Sequence, residues 1–165
     1  MRRLAAVLTA LLLLAGCGGT SKPPHAQPPT TLPSVTLAAL RPSDTAQRLS
    51  DLRGPMVISM WANYCGPCRR EMPIYQRFHS THRNVKVLGI DYLDPNQDAA
   101  RAFLKRYGVT YPNVADVQGR SMRIAALPKL LMVDADGHVA YQAFVEIKSL
   151  AQLESLVRTH LKVDL

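Results

Sequence analysis

Apolar residues along this 165-residue chain are grouped into short runs that predict strands. Residues 57–62 and 85–91 are apolar at nearly every position, which is typical of strands buried on both faces of a parallel sheet. Residues 35–37 predict a short edge strand. Residues 109–121 lack a regular pattern, and we expect an irregular connection there.

The remaining pattern predicts three helices and a hairpin. Helices are predicted over 67–82, over 96–108 and from Ser149 onward. Residues 130–133 and 138–145 are strand-like and flank the turn sequence Asp-Ala-Asp-Gly, a signal of an antiparallel hairpin. The resulting order is strand, helix, strand, helix, two strands, helix. It predicts an α/β fold with a central mixed sheet flanked by helices.

The first seventeen residues have the pattern of an export signal. A basic pair, Arg2 and Arg3, precedes an apolar stretch that is too short to span a bilayer comfortably. The stretch ends in Leu-Ala-Gly-Cys, which resembles the lipobox of bacterial lipoproteins. That resemblance implies cleavage before Cys17 and lipidation of its thiol, whereas the alternative is an ordinary signal with a chance cysteine.

The next segment predicts a tether. Residues 18–32 are rich in proline and hold almost no apolar bulk, so they favour a flexible linker. Residues 33–165 then form a single domain, long enough for one core. We therefore expect a protein that is extracytoplasmic and lipid-anchored to a bacterial membrane.

Charge narrows the range of partners. The chain carries 20 Lys and Arg against 12 Asp and Glu, a formal charge of +8. The basic residues are scattered, without the basic stripe or binding motif that nucleic-acid recognition needs. We expect no nucleic-acid partner.

The candidate chemistry lies in the sequence Trp61-Ala-Asn-Tyr-Cys65-Gly-Pro-Cys68, between a predicted buried strand and a predicted helix. Two thiols at this spacing can close and reopen a disulfide. A cysteine at a helix N-terminus favours the thiolate, because free N–H groups and the helix dipole stabilise negative charge. Cys68, one turn further on, is expected to be more buried. Gly66 and Pro67 keep the loop between the cysteines short, and Pro67 suits a first helical turn.

This motif resembles the active site of the thioredoxin superfamily. Its flanks, Leu-Arg-Gly-Pro-Met-Val-Ile before it and Cys-Arg-Arg-Glu-Met-Pro within the helix, resemble the membrane-anchored, TlpA-like branch. The resemblance covers about residues 33–162. It implies a thioredoxin fold with an extra helix inserted between central strands, and a redox-active Cys65–Cys68 disulfide.

The resemblance also implies supporting residues. Pro128 matches the cis proline that faces the cysteines in the family, and Leu127 would pair through its backbone with a substrate peptide. Trp61 is expected to be a partly buried wall of the site, with Tyr64 an exposed docking surface. Glu71 matches a glutamate that tunes the thiols in some relatives, and the alternative is a solvated carboxylate paired with Arg69 or Arg70.

The function that this implies is a thiol–disulfide oxidoreductase, an enzyme that needs no dissociable cofactor. We expect it to reduce disulfides of client proteins, including apocytochromes c before haem attachment, with a membrane thiol reductase as electron donor. Two alternatives stay open. One is a net oxidase that inserts disulfides, and the other is a non-enzymatic tethered module that binds partners or holds Cu(I) on its thiolates. A structural zinc site is disfavoured, since no second pair of ligands with suitable spacing is present.

Overall fold

The computed structural model describes residues 31–165, so the predicted export signal, Cys17 and most of the predicted tether lie outside the described residues. The strands are β1 (Thr36–Ala39), β2 (Gln47–Arg48), β3 (Met56–Trp61), β4 (Lys86–Tyr92), β5 (Asn113–Asp116), β6 (Lys129–Val133) and β7 (Val139–Ala143). The helices are α1 (Gly66–Thr81), α2 (Gln97–Arg106) and α3 (Leu150–Leu161), with a short 3-10 turn at Leu49–Asp51.

The seven strands form one mixed sheet in the order β2-β1-β5-β4-β3-β6-β7. Strands β3, β4 and β5 run parallel, and the remaining neighbours pair antiparallel. The predicted mixed α/β sheet is confirmed, with α2 inserted between the parallel strands β4 and β5.

Two expectations about the strands are wrong. Residues 109–121 are not wholly irregular, because β5 lies within them and pairs with both β4 and β1. Strand β1 is not the edge of the sheet, because the two-residue β2 pairs with its outer side. Both missed strands are too short to show an alternating pattern, and β5 begins and ends with polar residues.

Buried side chains form two clusters, one on each face of the sheet. One cluster joins β3 to all three helices through residues such as Trp61, Phe78, Leu104 and Val157. The other is covered by the N-terminal segment, where Leu32 and the 3-10 turn pack on the sheet. Strand β3 is buried on both faces, as its continuous apolar run predicts.

Helix ends follow the local sequence. Asn96 caps α2 by accepting a hydrogen bond from the Ala99 N–H at 3.0 Å, and Gly108 follows the helix with a positive φ of 62°. Ser149 caps α3 in the same way. Among residues 31–165, none of the helices combines the length and the apolar character needed to cross a membrane.

Candidate redox site

The two cysteines of the motif are joined in a disulfide at the start of α1. Cys65 is the N-cap residue of the helix, and its sulfur accepts a hydrogen bond from the Cys68 N–H at 3.2 Å. The Cα atoms of the two residues are 5.3 Å apart. Cys65 is 8% exposed and Cys68 is 1% exposed, so Cys65 is the more accessible of the two residues.

The local chain order explains this placement. Strand β3 is held between β4 and β6 and ends at Trp61, and a short turn closed by the bond from Cys65 N–H to Ala62 O leads into α1. Gly66 and Pro67 occupy the first positions of the helix, where the missing N–H of proline costs nothing. The sulfur of Cys65 therefore lies at the positive end of a sixteen-residue helix.

Trp61 is fully buried, and the expectation of a partly buried wall is wrong. Its Nε1–H donates to Asn113 Oδ1 at 3.0 Å, and its ring stacks on Phe103 of α2 with the centroids 5.1 Å apart. Asn113 is itself buried and donates to Tyr111 O. The burial was not predicted because it depends on β5 and on the docking of α2. Tyr64, by contrast, is 57% exposed.

Glu71 lies one helical turn after Cys68 and is 1% exposed. Its Oε1 accepts a hydrogen bond from the Ile147 N–H, and its Oε2 has no donor. Burial raises the pKa of this carboxyl to about 7, although the bond from Ile147 acts in the opposite direction.

The alternative of a solvated Glu71 paired with a neighbouring arginine is therefore wrong. Arg70 forms an ion pair with Glu146 at 2.6 Å, and Arg69 donates to Asn63 O at 3.0 Å. Both arginines are exposed, whereas the carboxyl is buried. Sequence alone could not separate these arrangements, because Glu71 and the arginines are adjacent on one helix.

The Leu127–Pro128 peptide bond is cis, as the resemblance implies. The segment before it borders a groove of about 350 Å³ that reaches Cys65. Its lining is mostly apolar and comprises Tyr64, Cys65, Pro67, Tyr92, Leu93 and residues 124–127. The site thus offers an exchangeable sulfur that borders a mostly apolar groove.

The cysteines lie apart from the one group of potential metal ligands within residues 31–165. That group is Asp134, Asp136 and His138, at the turn of the β6–β7 hairpin, and its side chains are largely exposed. The sulfurs of Cys65 and Cys68 are instead bonded to each other.

Two polar residues near the cysteines were not predicted from the sequence. Asn63 precedes Cys65 by two residues, and its backbone N–H donates to the buried carboxylate of Asp94 at 2.8 Å. Asp94 follows the carboxyl end of β4, next to the end of β3. Ligands and reacting groups collect at the carboxyl ends of parallel strands, and this rule could have identified the residue.

The chain matches a known protein family and curated relatives in sequence. The profile of the AhpC/TSA family matches residues 28–142. The thiol-disulfide oxidoreductase ResA of Geobacillus kaustophilus is 30% identical over 116 residues, which is 67% of this chain and 65% of that protein. The chain thus spans slightly less than two thirds of this relative's length.

Two solved structures share the fold. A secreted disulfide oxidoreductase of Mycobacterium tuberculosis, homologous to E. coli DsbE, superposes with a TM-score of 0.64 at 22% identity over 76% of this chain and 96% of that one. A secreted thiol-disulfide isomerase of Corynebacterium glutamicum gives 0.67 at 23% identity, over 80% and 86% of the two chains. At these identities the likeness establishes the thioredoxin-like fold.

Proposed function

Since the chain belongs to the AhpC/TSA family, we propose that it is a thiol–disulfide oxidoreductase acting on client proteins through Cys65 and Cys68. The observation that carries the proposal is the disulfide at the start of α1, whose more exposed cysteine lines an apolar groove. The name of the Geobacillus relative supports the same chemistry.

The exchange proceeds in two balanced steps. In the reduced protein, the Cys65 thiolate attacks one sulfur of a client disulfide, forming a mixed disulfide and releasing the other client sulfur as a thiolate. Cys68 then loses its proton and attacks the Cys65 sulfur, which frees the second client thiol. Two electrons and two protons pass to the client, and the protein is left with the Cys65–Cys68 disulfide.

The difference in burial between the two cysteines supports the proposed order of attack. Cys65 borders the groove and faces the positive end of α1, so it is the sulfur that a client can reach in its reactive form. Cys68 is enclosed within the first cluster of the core and can reach little besides Cys65. Leu127 contributes its backbone, since it lies in the groove beside Cys65 and is available to pair with an extended client segment.

We assign Glu71 the handling of the Cys68 proton. Ser59, on the neighbouring strand β3, carries a hydroxyl rather than a carboxylate, so it is not assigned as the proton acceptor. The buried acid one turn from Cys68 is Glu71. A pKa near 7 lets this carboxyl both accept and return a proton at neutral pH.

The proposed direction is reduction of client disulfides, with apocytochromes c among the clients and a membrane thiol reductase as the source of electrons. The Gly-Pro sequence between the cysteines is more similar to reducing members of the superfamily than to strong oxidants. An extracytoplasmic location fits the export-type N-terminal sequence, and the Mycobacterium and Corynebacterium proteins are described as secreted. Lipidation of Cys17 would hold the domain at the membrane.

The first prediction concerns the two thiols. Cys68→Ala removes the resolving sulfur, so reduced protein mixed with insulin is expected to accumulate a mixed disulfide at Cys65, visible on a non-reducing gel and by mass spectrometry. Cys65→Ala is the matched control and should form no such adduct, with insulin reduction at the uncatalysed background. Adducts through Cys68 in the Cys65→Ala protein would reverse the assigned roles.

A second prediction concerns the direction. Equilibration of the wild-type protein with glutathione buffers is expected to give a reduction potential near the thioredoxin value of about −270 mV. A potential close to about −120 mV would instead support the oxidase. The Cys65→Ser protein, which cannot form the disulfide, is the blank for the titration.

A third prediction concerns Glu71. In the reduced protein, ionisation of this buried carboxylate opposes thiolate formation nearby, so the pH profile of iodoacetamide alkylation should rise in more than one step. Glu71→Gln keeps the acceptor for the Ile147 N–H but cannot ionise, so its profile should lose the step that belongs to Glu71 and begin to rise at lower pH. Asp98→Asn, which removes an exposed charge from α2, should leave the profile unchanged. Superimposable profiles for Glu71→Gln and wild type would remove Glu71 from the mechanism.

A fourth prediction concerns the anchor. Full-length protein expressed in a bacterial host should sediment with membranes and carry a diacylglyceryl mass increment on Cys17. Cys17→Ser should abolish the increment and release the protein from that fraction, while insulin reduction by the domain is unchanged. Wild-type protein that lacks the increment would show Cys17 to be unmodified.

A further inference from the structure

Two fully buried carboxyl groups follow one another at the end of β4 and take no part in the chemistry described above. Asp91 is the sixth residue of the strand, and Asp94 lies in the loop that leads to α2; both are 0% exposed. Burial of two acids in contact is costly unless their charge and hydrogen-bonding capacity are met. Their partners therefore indicate how the protons are arranged.

Asp94 has the partners of an ionised carboxylate. Its Oδ2 accepts from the backbone N–H of Asn63 at 2.8 Å and from the Asn63 side-chain amide at 2.5 Å. Its Oδ1 accepts from the Asn96 N–H at 3.0 Å. These contacts join the turn before Cys65 to the loop after β4.

Asn63 is held on its other side as well. Its carbonyl oxygen accepts from Arg69 of α1, with Nη2 at 3.0 Å. The residue is thus fixed between Asp94 and the first turns of the helix, two positions before Cys65. Any change in the charge around Asp94 acts on the segment that sets the position of the Cys65 sulfur.

Asp91 has the partners of a protonated acid. Its Oδ2 accepts from Gln97 Nε2 at 3.0 Å, but its Oδ1 has no donor although it is buried. The pKa of Asp91 is raised to about 8, first by burial and then by the neighbouring carboxylate of Asp94, while the hydrogen bond from Gln97 acts in the opposite direction. A proton on Asp91 that is donated to Asp94 satisfies both groups.

The other charged groups on the surrounding elements do not compensate Asp91. Tyr64 has its own pKa raised, first by burial and then by Asp94 and Asp91. Elsewhere, Asp98 pairs with Arg101 on the exposed side of α2, and Asp116 of β5 accepts from two backbone N–H groups. Arg69 bonds to Asn63 O rather than to either acid.

We infer that Asp91 and Asp94 share one proton, and that this shared proton keeps the turn bearing Cys65 attached to the end of β4. They are positioning residues, since neither is placed against a reacting sulfur. The effect on Cys65 reactivity rests on the proposed function, whereas the shared proton does not. Loss of the proton places two negative charges side by side in a buried site, which weakens the hold of Asp94 on Asn63 and disfavours the Cys65 thiolate.

The direct test uses the oxidised wild-type protein, in which neither cysteine of the pair titrates. Carboxyl carbons of aspartate are followed by ¹³C NMR and backbone amides by ¹⁵N NMR between pH 4 and pH 10. The Asp91 carbon is expected to titrate with a midpoint near pH 8, and the Asn63 amide should shift with the same midpoint. Asp91 titrating in the ordinary acidic range of aspartate, or an Asn63 amide that does not follow it, would overturn the inference.

Two variants distinguish loss of the shared proton from a general loss of folded structure. Asp91→Asn keeps a donor toward Asp94 but cannot ionise, so the alkaline step at Asn63 should disappear while the amide spectrum stays dispersed. Asp98→Asn removes an exposed carboxylate from the neighbouring helix and should leave the step in place. A step that persists in Asp91→Asn would assign the titration to another group and end the proposal.

The effect on the thiol is measured in the reduced protein. The iodoacetamide rate at Cys65 should show a step near pH 8 in wild type that is lost in Asp91→Asn. Identical profiles would overturn the positioning role even if the NMR titration is observed. Failure of insulin reduction would count against the proposed function alone, because the carboxyl and Asn63 signals require no client.

Discussion

The site depends on the junction between strand β3, which is held by neighbouring strands on both sides, and helix α1, which follows it after one short turn. Strand β3 is bonded on both sides and buried on both faces, so the chain leaves the sheet at a fixed point. The turn that follows is tied to the β4–α2 loop and delivers Cys65 as the cap of α1. A thiolate there gains the free N–H groups and dipole of the helix without a dedicated cationic side chain. Strands β4 and β6 and the β4–α2 loop hold this junction in place.

Buried acids flank the junction at two places, and both have a raised pKa. Glu71 lies on the Cys68 side, against the segment before α3, and Asp91 lies on the Trp61 side, at the end of β4. In each case burial is the largest cause. Solvent exposure would make such carboxyls ordinary anions at neutral pH, so their protons exist only because the surrounding core excludes water. The protonation of the site is therefore a property of the packed domain rather than of the eight-residue motif.

Much of this architecture could be predicted from the sequence, and the failures have a common cause. Long apolar runs identified β3 and β4, and the cysteine spacing between a strand and a helix identified the reactive pair. Strands β2 and β5 were missed because two and four residues carry too little periodicity. Three other features could not be predicted because each depends on a partner distant in sequence. Trp61 is buried against Asn113, Glu71 is buried against Ile147, and Asn63 is bonded to Asp94. Local patterns predict elements, but they do not predict which polar atoms meet across them.

The stacking of Trp61 on Phe103 has a consequence for how this domain can be altered. Helix α2 is an insertion in topology, yet its aromatic face closes the indole off from water directly beside the disulfide. Deleting that helix to give a minimal thioredoxin would expose the chain's single tryptophan to solvent. It would also remove the helix to which the loop at Asp94 leads. Helix α2 is thus part of the wall around the reaction centre, although it is an insertion in the order of the strands.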